Sequence, residues 1–287
     1  MRRIKNTISL LVITLAIVSC GDNKEAEEHK DPKDSVVAMV KDTTRVTVDE
    51  ETKFKFDFAL ANVPSPVGSI NELSKWGVSY DNSFLNDTKK YKDYDTEFSK
   101  AVNLGIYNID MSFGMVNNKG EDVLKYMKTV MIESDALGLK GAVNQMVGKR
   151  AEQNLENKDS LLKILDEIFV KSDTYLRTNE RVYTASNVFT GSWVESLYLT
   201  CKMAGGLTDP IIKAKAYKHL WDQRFYLKNL TELLDEYKDK KECAELNNEL
   251  KKIHGEIAPI KDSKDMNDAM FKSISDKIFA LRAKLVK

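Results

Sequence analysis

Apolar positions recur along this chain at steps of three and four from residue 97 to the end, and that spacing predicts helix after helix. The clearest stripes are the last two: Leu246, Leu250, Ile253, Ile257, then Phe271, Ile274, Ile278, Leu281, Leu285. Narrow stripes of this kind pack helix against helix. Before them, a long helix from Pro210 to about Lys238 turns Leu220, Leu227, Leu230, Leu234 and Tyr237 inward. Thr208 or Asp209 caps it, and Pro210 takes the first turn, where its missing N–H costs nothing. Further helices are expected over 97–115, from a cap at Asn118 with Glu121 closing a capping box, over 143–154 and over 159–176. The last of these carries Leu161, Leu165, Ile168 and Phe169 on one face. Another helix opens at Asn179-Glu180 and ends at Gly205-Gly206. A short one over 70–76 stops at Gly77. Two stretches alternate in period two instead: Thr44 to Val48 reads as a short strand, and Phe54 to Phe58 as a strand or the opening of a helix. The fold class is therefore all-α: a single bundle-like domain of about eight helices over residues 51–287.

The N-terminus follows a different rule. Arg2, Arg3 and Lys5 precede an uncharged apolar run of 11 residues, Ile8 to Val18, which closes on Ser19-Cys20. A basic start, an apolar centre and a small residue before the cut make a secretory signal peptide. The run is too short for the ~20 residues of a spanning helix. Arg2-Arg3 lacks the apolar follow-on of a twin-arginine signal, so ordinary secretion is expected. The cysteine directly after the cut resembles the lipobox of bacterial lipoproteins. The resemblance implies that residues 1–19 are removed and that Cys20 is acylated, for instance with palmitate. Several acyl chains on one residue anchor stably. Residues 20–50 then form a charged tether too poor in apolar side chains to fold alone, spanning roughly 30 Å if flexible. The expected address is the bacterial cell envelope, at the outer membrane, with the membrane itself as a partner through lipid.

Charge and composition exclude more than they assign. The whole chain has 44 Lys+Arg against 44 Asp+Glu, and removal of residues 1–19 takes three of the positive charges. A mature net of −3 argues against nucleic acid, which wants a basic face. Cys201 and Cys243 are the remaining cysteines. The long helix between them should keep their Cα atoms beyond the ~7 Å that a disulfide allows. The chain contains no P-loop, dinucleotide glycine pattern, nucleophile elbow or His-Glu metalloprotease motif, so no cofactor, metal or catalytic residue is assigned.

One constellation remains. Asp110 and Glu195 each sit in a helix otherwise nearly free of charge, Ala101 to Phe113 and Ser186 to Tyr198, which align at an offset of 85. Helices apolar all round are buried, and a buried carboxylate must be paired, metal-bound or protonated. Asn103, Tyr107 and Asp110 share one face; Gly191, Glu195 and Tyr198 share another. If the helices pack together, these side chains converge as a proton-transfer pair, a cation site or an internal hydrogen-bond network. Arg150, Arg177 or Arg181 would supply the counter-charge. Elsewhere His219, Asp222 and Gln223 cluster beside Trp221, a pattern more typical of an exposed polar face than of ligands. Trp76, Trp193 and Trp221 are expected in the core.

Four stretches resemble a family of helical lipoproteins of Bacteroidota: Asn62-Val63-Pro64-Ser65-Pro66, residues 100–107 around Asn103, Asn157-Lys158-Asp159-Ser160-Leu161, and residues 191–198 around Glu195. The resemblance is best over 60–205. It implies an exported helical lipoprotein and carries no catalytic or binding residue. Two functions follow as expectations. One is a non-enzymatic envelope lipoprotein that binds a protein or small ligand or organises the envelope. The other is a ligand-binding or enzymatic helical domain working through the Asp110/Glu195 layer. A wet cleft reaching both acids would favour the second, a dry satisfied pair the first.

Overall fold

The structure, a computed structural model, describes residues 50–62, 66–139 and 181–287, together with Arg150, Gln153, Asn154, Asn157, Ser160, Lys163, Ile164 and Glu167. All belong to one compact unit, Arg45–Lys287. Among the described residues 81% are helical and none lies in a strand, so the fold is all-α. In chain order come α1 (Glu50–Asn62), α2 (Pro66–Leu73), α3 (Glu97–Val116), α4 (Gly120–Ala136), α5 (Val182–Ala204), α6 (Pro210–Leu234), α7 (Lys241–Ile257) and α8 (Asp268–Leu285). Short 3-10 turns join several of them, including Asn82–Phe84 and Thr88–Asp93 between α2 and α3. The segments expected as helices over 143–154 and 159–176, with Leu161, Leu165, Ile168 and Phe169, and the strand expected at Thr44–Val48, lie largely or wholly outside the described residues.

The two helices that are apolar all round stand at the centre. Of the 20 residues of α3 sixteen are buried, and of the 23 of α5 twenty-one are. Burying so many serines and threonines requires partners for their hydroxyls. Ser186, Thr190 and Thr200 each donate to the carbonyl four residues back, as Ser112 does in α3; this back-bonding satisfies the hydroxyl within its own helix. α3 and α5 run parallel, backbone on backbone. A Cβ added at Gly105 would stand 2.0 Å from Val188 O, and one added at Gly191 would stand 2.0 Å from Val102 O. The contact is reciprocal, so the offset between the two helices is built into their packing.

The remaining helices wrap this pair, each burying its expected stripe. Val123, Met127 and Val130 of α4, Leu220, Leu227, Leu230 and Leu234 of α6, Leu246 to Ile257 of α7 and Phe271 to Leu281 of α8 all join one core. Asp209 caps α6 by accepting from Ile211 N at 2.8 Å and Ile212 N at 3.1 Å.

One local expectation is decided between its two readings, and one is corrected. Phe54 to Phe58 is helix: Thr52, Phe56 and Ala59 step by four and three into the interior, leaving Phe54 and Phe58 outside. Three alternating aromatics over five residues fit either period, and the inward Thr52 and Ala59 decide it. Asn118 does not cap α4. Lys119 holds that position without a side-chain bond, while Asn118 has φ +57°. Reversing the chain between Val116 and Gly120 needs a left-handed residue, and asparagine tolerates that conformation best after glycine.

Candidate functional site

The second halves of α3 and α5 and the last turn of α8 meet under the chain from Asn82 to Tyr94. Asp110 on α3 and Glu195 on α5 are both fully buried there, and the Glu195 charge acts on the Asp110 carboxyl. The counter-charge is Arg282, on the last turn of α8. Its Nε donates to Glu195 Oε2 at 3.0 Å and its Nη2 to Glu195 Oε1 at 3.1 Å. Such a two-pronged fork is among the strongest ionic contacts a protein makes. The cations expected in this role are elsewhere. Arg150 pairs with Glu167 at 2.8 Å, Arg181 pairs with Glu97 at 2.9 Å, and Arg177 lies outside the described residues.

The other expected members also belong to the layer, with different tasks. The Tyr198 ring lies against the Arg282 guanidinium at 4.5 Å and meets Phe279 edge-on. Lys202 reaches over the rings of Phe84, Tyr198 and Phe279 and closes the outer side. Asn103 Nδ2 donates to Ser99 O at 3.0 Å and to Leu285 O at 2.8 Å, fastening the end of α8 to α3. The Tyr107 hydroxyl turns away from the acids and donates to Asp87 O at 3.0 Å.

Sequence reasoning missed the residue that joins these parts. Asn86 is buried between the two 3-10 turns. Its N–H donates to Asp110 Oδ2 at 3.0 Å, its side-chain amide to Tyr94 Oη at 3.0 Å, and its carbonyl accepts from Tyr126 Oη at 2.8 Å. Nothing in the polar stretch around it marked it. Arg282 did leave a signal: 271, 275, 278 and 282 step by four, three and four, which puts an arginine on an apolar stripe.

The electrostatics follow from this geometry. Burial first, then the Glu195 charge, hold the Asp110 carboxyl well above the usual carboxylate range, against the pull of Arg282 and the Asn86 N–H. Burial works to lower Arg282, but the Glu195 charge and hydrogen bonds prevail and raise it. Burial likewise raises Tyr107, Tyr126 and Tyr198, so these phenols are neutral donors. One guanidinium faces two carboxyls, and burial favours the protonated form of Asp110. The layer is closed: Asp110 and Glu195 have no exposed surface and Arg282 has 9%.

The second cluster does not assemble a ligand set. Asp222 pairs with Lys218 at 2.7 Å, and His219 packs edge-on to Trp76. Gln223 is not part of an exposed face: it is buried, accepting from Trp193 Nε1 at 3.1 Å. Among the described residues no group of three or more His, Cys, Asp or Glu is placed to hold a metal. Cys201 and Cys243 are free and buried, and burial pushes both thiols up to about 12. No family model matches the chain, and no curated protein or solved structure matches it.

Proposed function

We propose that the chain is a lipid-anchored lipoprotein of the bacterial cell envelope, held at the outer membrane through acylated Cys20, with a non-enzymatic helical domain that binds a partner or helps organise the envelope. One observation carries the non-enzymatic half. The acid layer is answered internally, Glu195 by Arg282 and Asp110 Oδ2 by the Asn86 N–H, and neither carboxyl is exposed to solvent. A catalytic acid or base must come within hydrogen-bond reach of a substrate proton, and these groups are sealed from one. Attachment through lipid agrees with a further finding: no helix among the described residues is long and apolar enough to cross a membrane.

The test is labelling of growing cells with tagged palmitate, followed by fractionation. The wild type is expected to carry label and sediment with membranes, and Cys20→Ala to do neither. Equal labelling of both, or a wild type found free of membrane, removes the lipoprotein assignment. Capture of a partner should survive Asp110→Asn, because the layer supports the fold and contributes nothing to the surface.

A further inference from the structure

Asp110 presents an unsolved contact. Its Oδ2 accepts from Asn86 N, but its Oδ1, fully buried, has no donor. Arg282 does not supply one: its Nε and Nη2 donate to Glu195. The charged neighbours of Asp110 in the layer are Glu195 and Arg282, and the Glu195 carboxyl acts on it directly. Two carboxylates cannot bond; a carboxylic acid and a carboxylate can. The proton belongs on Asp110, since Glu195 already has the bidentate guanidinium.

The same residues hold a turn. Phe84 O accepts from Arg282 Nη2 at 3.4 Å, Asn86 N–H donates to Asp110, Asn86 O accepts from Tyr126, and Asp87 O accepts from Tyr107. The chain from Phe84 to Asp87 is therefore fastened at four points to α3, α4 and α8, two of them ionisable members of the layer. We infer that Asp110 and Glu195 form a buried proton-binding pair that latches the Phe84–Asp87 turn, closed while Asp110 carries its proton and released when it loses it. The ligand of this site is the proton itself.

The surroundings leave the second charge unanswered. From α3 the layer is faced by Tyr107, from α4 by Tyr126, from α5 by Glu195 and Tyr198, from α8 by Arg282, and from the preceding chain by Tyr80 and Tyr94. Tyr80 is bonded to Asp122 at 2.9 Å. Asp81 is committed to Ser83 at 2.9 Å, and Lys202 lies outside over the Tyr198 ring. Burial raises each of the tyrosines, so they stay neutral, and a phenol offers no positive charge in either form. Ionised Asp110 would oppose Glu195 with one guanidinium between them, and like charges without water repel strongly. The turn reaches the surface at Asp87, which is exposed, and is the wall of the layer that yields on release.

The inference holds whether or not Cys20 is acylated, and its test reads neither lipid nor membrane. Infrared spectra of the full chain at neutral pH are expected to contain the carbonyl stretch of a protonated carboxylic acid that Asp110→Asn removes. Amide hydrogen exchange at Asn86, corrected for the intrinsic effect of pH, is expected to lose roughly tenfold or more of its protection as that band titrates away. In Asp110→Asn the substituted amide donates to Glu195 at every pH, so protection there should be flat. Absence of the acid band at neutral pH overturns the proton pair. Asn86 protection that ignores its titration overturns the latch. If Asp110→Asn does not fold, the wild type decides alone: band and protection must share one midpoint, and separate midpoints refute the coupling.

Discussion

Glu195 and Arg282 have different consequences when removed than their net contribution suggests. A buried pair can be nearly neutral in stability against an apolar replacement, whereas removing one partner strands the other's charge. Glu195→Ala is therefore expected to lower unfolding free energy by about 3–5 kcal/mol, read as a shift of the urea midpoint; an unchanged midpoint would place Arg282 in contact with water. Glu133 on α4 is a simpler case. It is 1% exposed, its Oε2 has no partner, and burial pushes its carboxyl up to about 7 against a modest pull from Lys100. Below 4.5, its ordinary value, folded and unfolded chains hold the same proton. As pH climbs from there to about 7, the unfolded chain ionises first and folding loses stability. The loss is on the order of 3 kcal/mol. Glu133→Gln should flatten that part of the pH–stability curve, raising stability above about pH 7 and leaving it unchanged in acid. A curve of the same slope would refute the burial of that carboxyl. At this scale the sequence exposed the acids, because a lone charge in an apolar helix is conspicuous. It left their partner ambiguous, because an arginine on the inward stripe of a helix's last turn also fits an ordinary complement to the dipole.

Between elements, α3 and α5 meet backbone to backbone. Gly105 and Gly191 each stand where a methyl would collide with a carbonyl of the opposite helix. Gly105→Ala and Gly191→Ala should each cost about 3 kcal/mol, near the upper end for overpacking, despite alanine's better helix propensity. Since both changes part the same two helices, the double variant should cost less than the sum of the singles, and strict additivity in a double-mutant cycle would mean that the sites yield independently. Helix existence was legible in the chain because the stripes of α6, α7 and α8 repeat for three or more turns. The parallel pairing of α3 with α5 was only hinted at by the matched positions of Asp110 and Glu195. Periodicity identifies the face a helix buries, not the helix that covers it. Turn chemistry failed at Asn118 for a related reason: the same residue type caps helices and tolerates the left-handed region, and only the length of the connection distinguishes them.

On the scale of the whole chain, closure of the layer waits for the last turn of the last helix. Arg282 reaches Glu195, 87 positions earlier, and Phe84, 198 positions earlier. Leu285 O receives Asn103, and Val286 O receives Lys90. Sequence alone assigned this segment to the bundle through its apolar stripe, but nothing in its spacing gave it a structural role larger than its neighbours'. The contacts do. Truncation after Ala280 would remove Leu281, Arg282, Leu285 and Val286 together, taking a buried guanidinium from Glu195 and two carbonyls from buried or half-buried donors. Leu281 and Arg282 are each at least nine-tenths buried. Lost leucine packing alone costs about 2–5 kcal/mol and the stranded carboxylate a similar amount, which together approach the 5–15 kcal/mol that holds a typical domain. The truncated chain is expected to keep much of its far-ultraviolet helical signal but lose its cooperative thermal transition and its slow amide exchange around Asn86. A truncated chain that still melts cooperatively within about 5 °C of the full one would show that the end of α8 merely decorates a core complete without it.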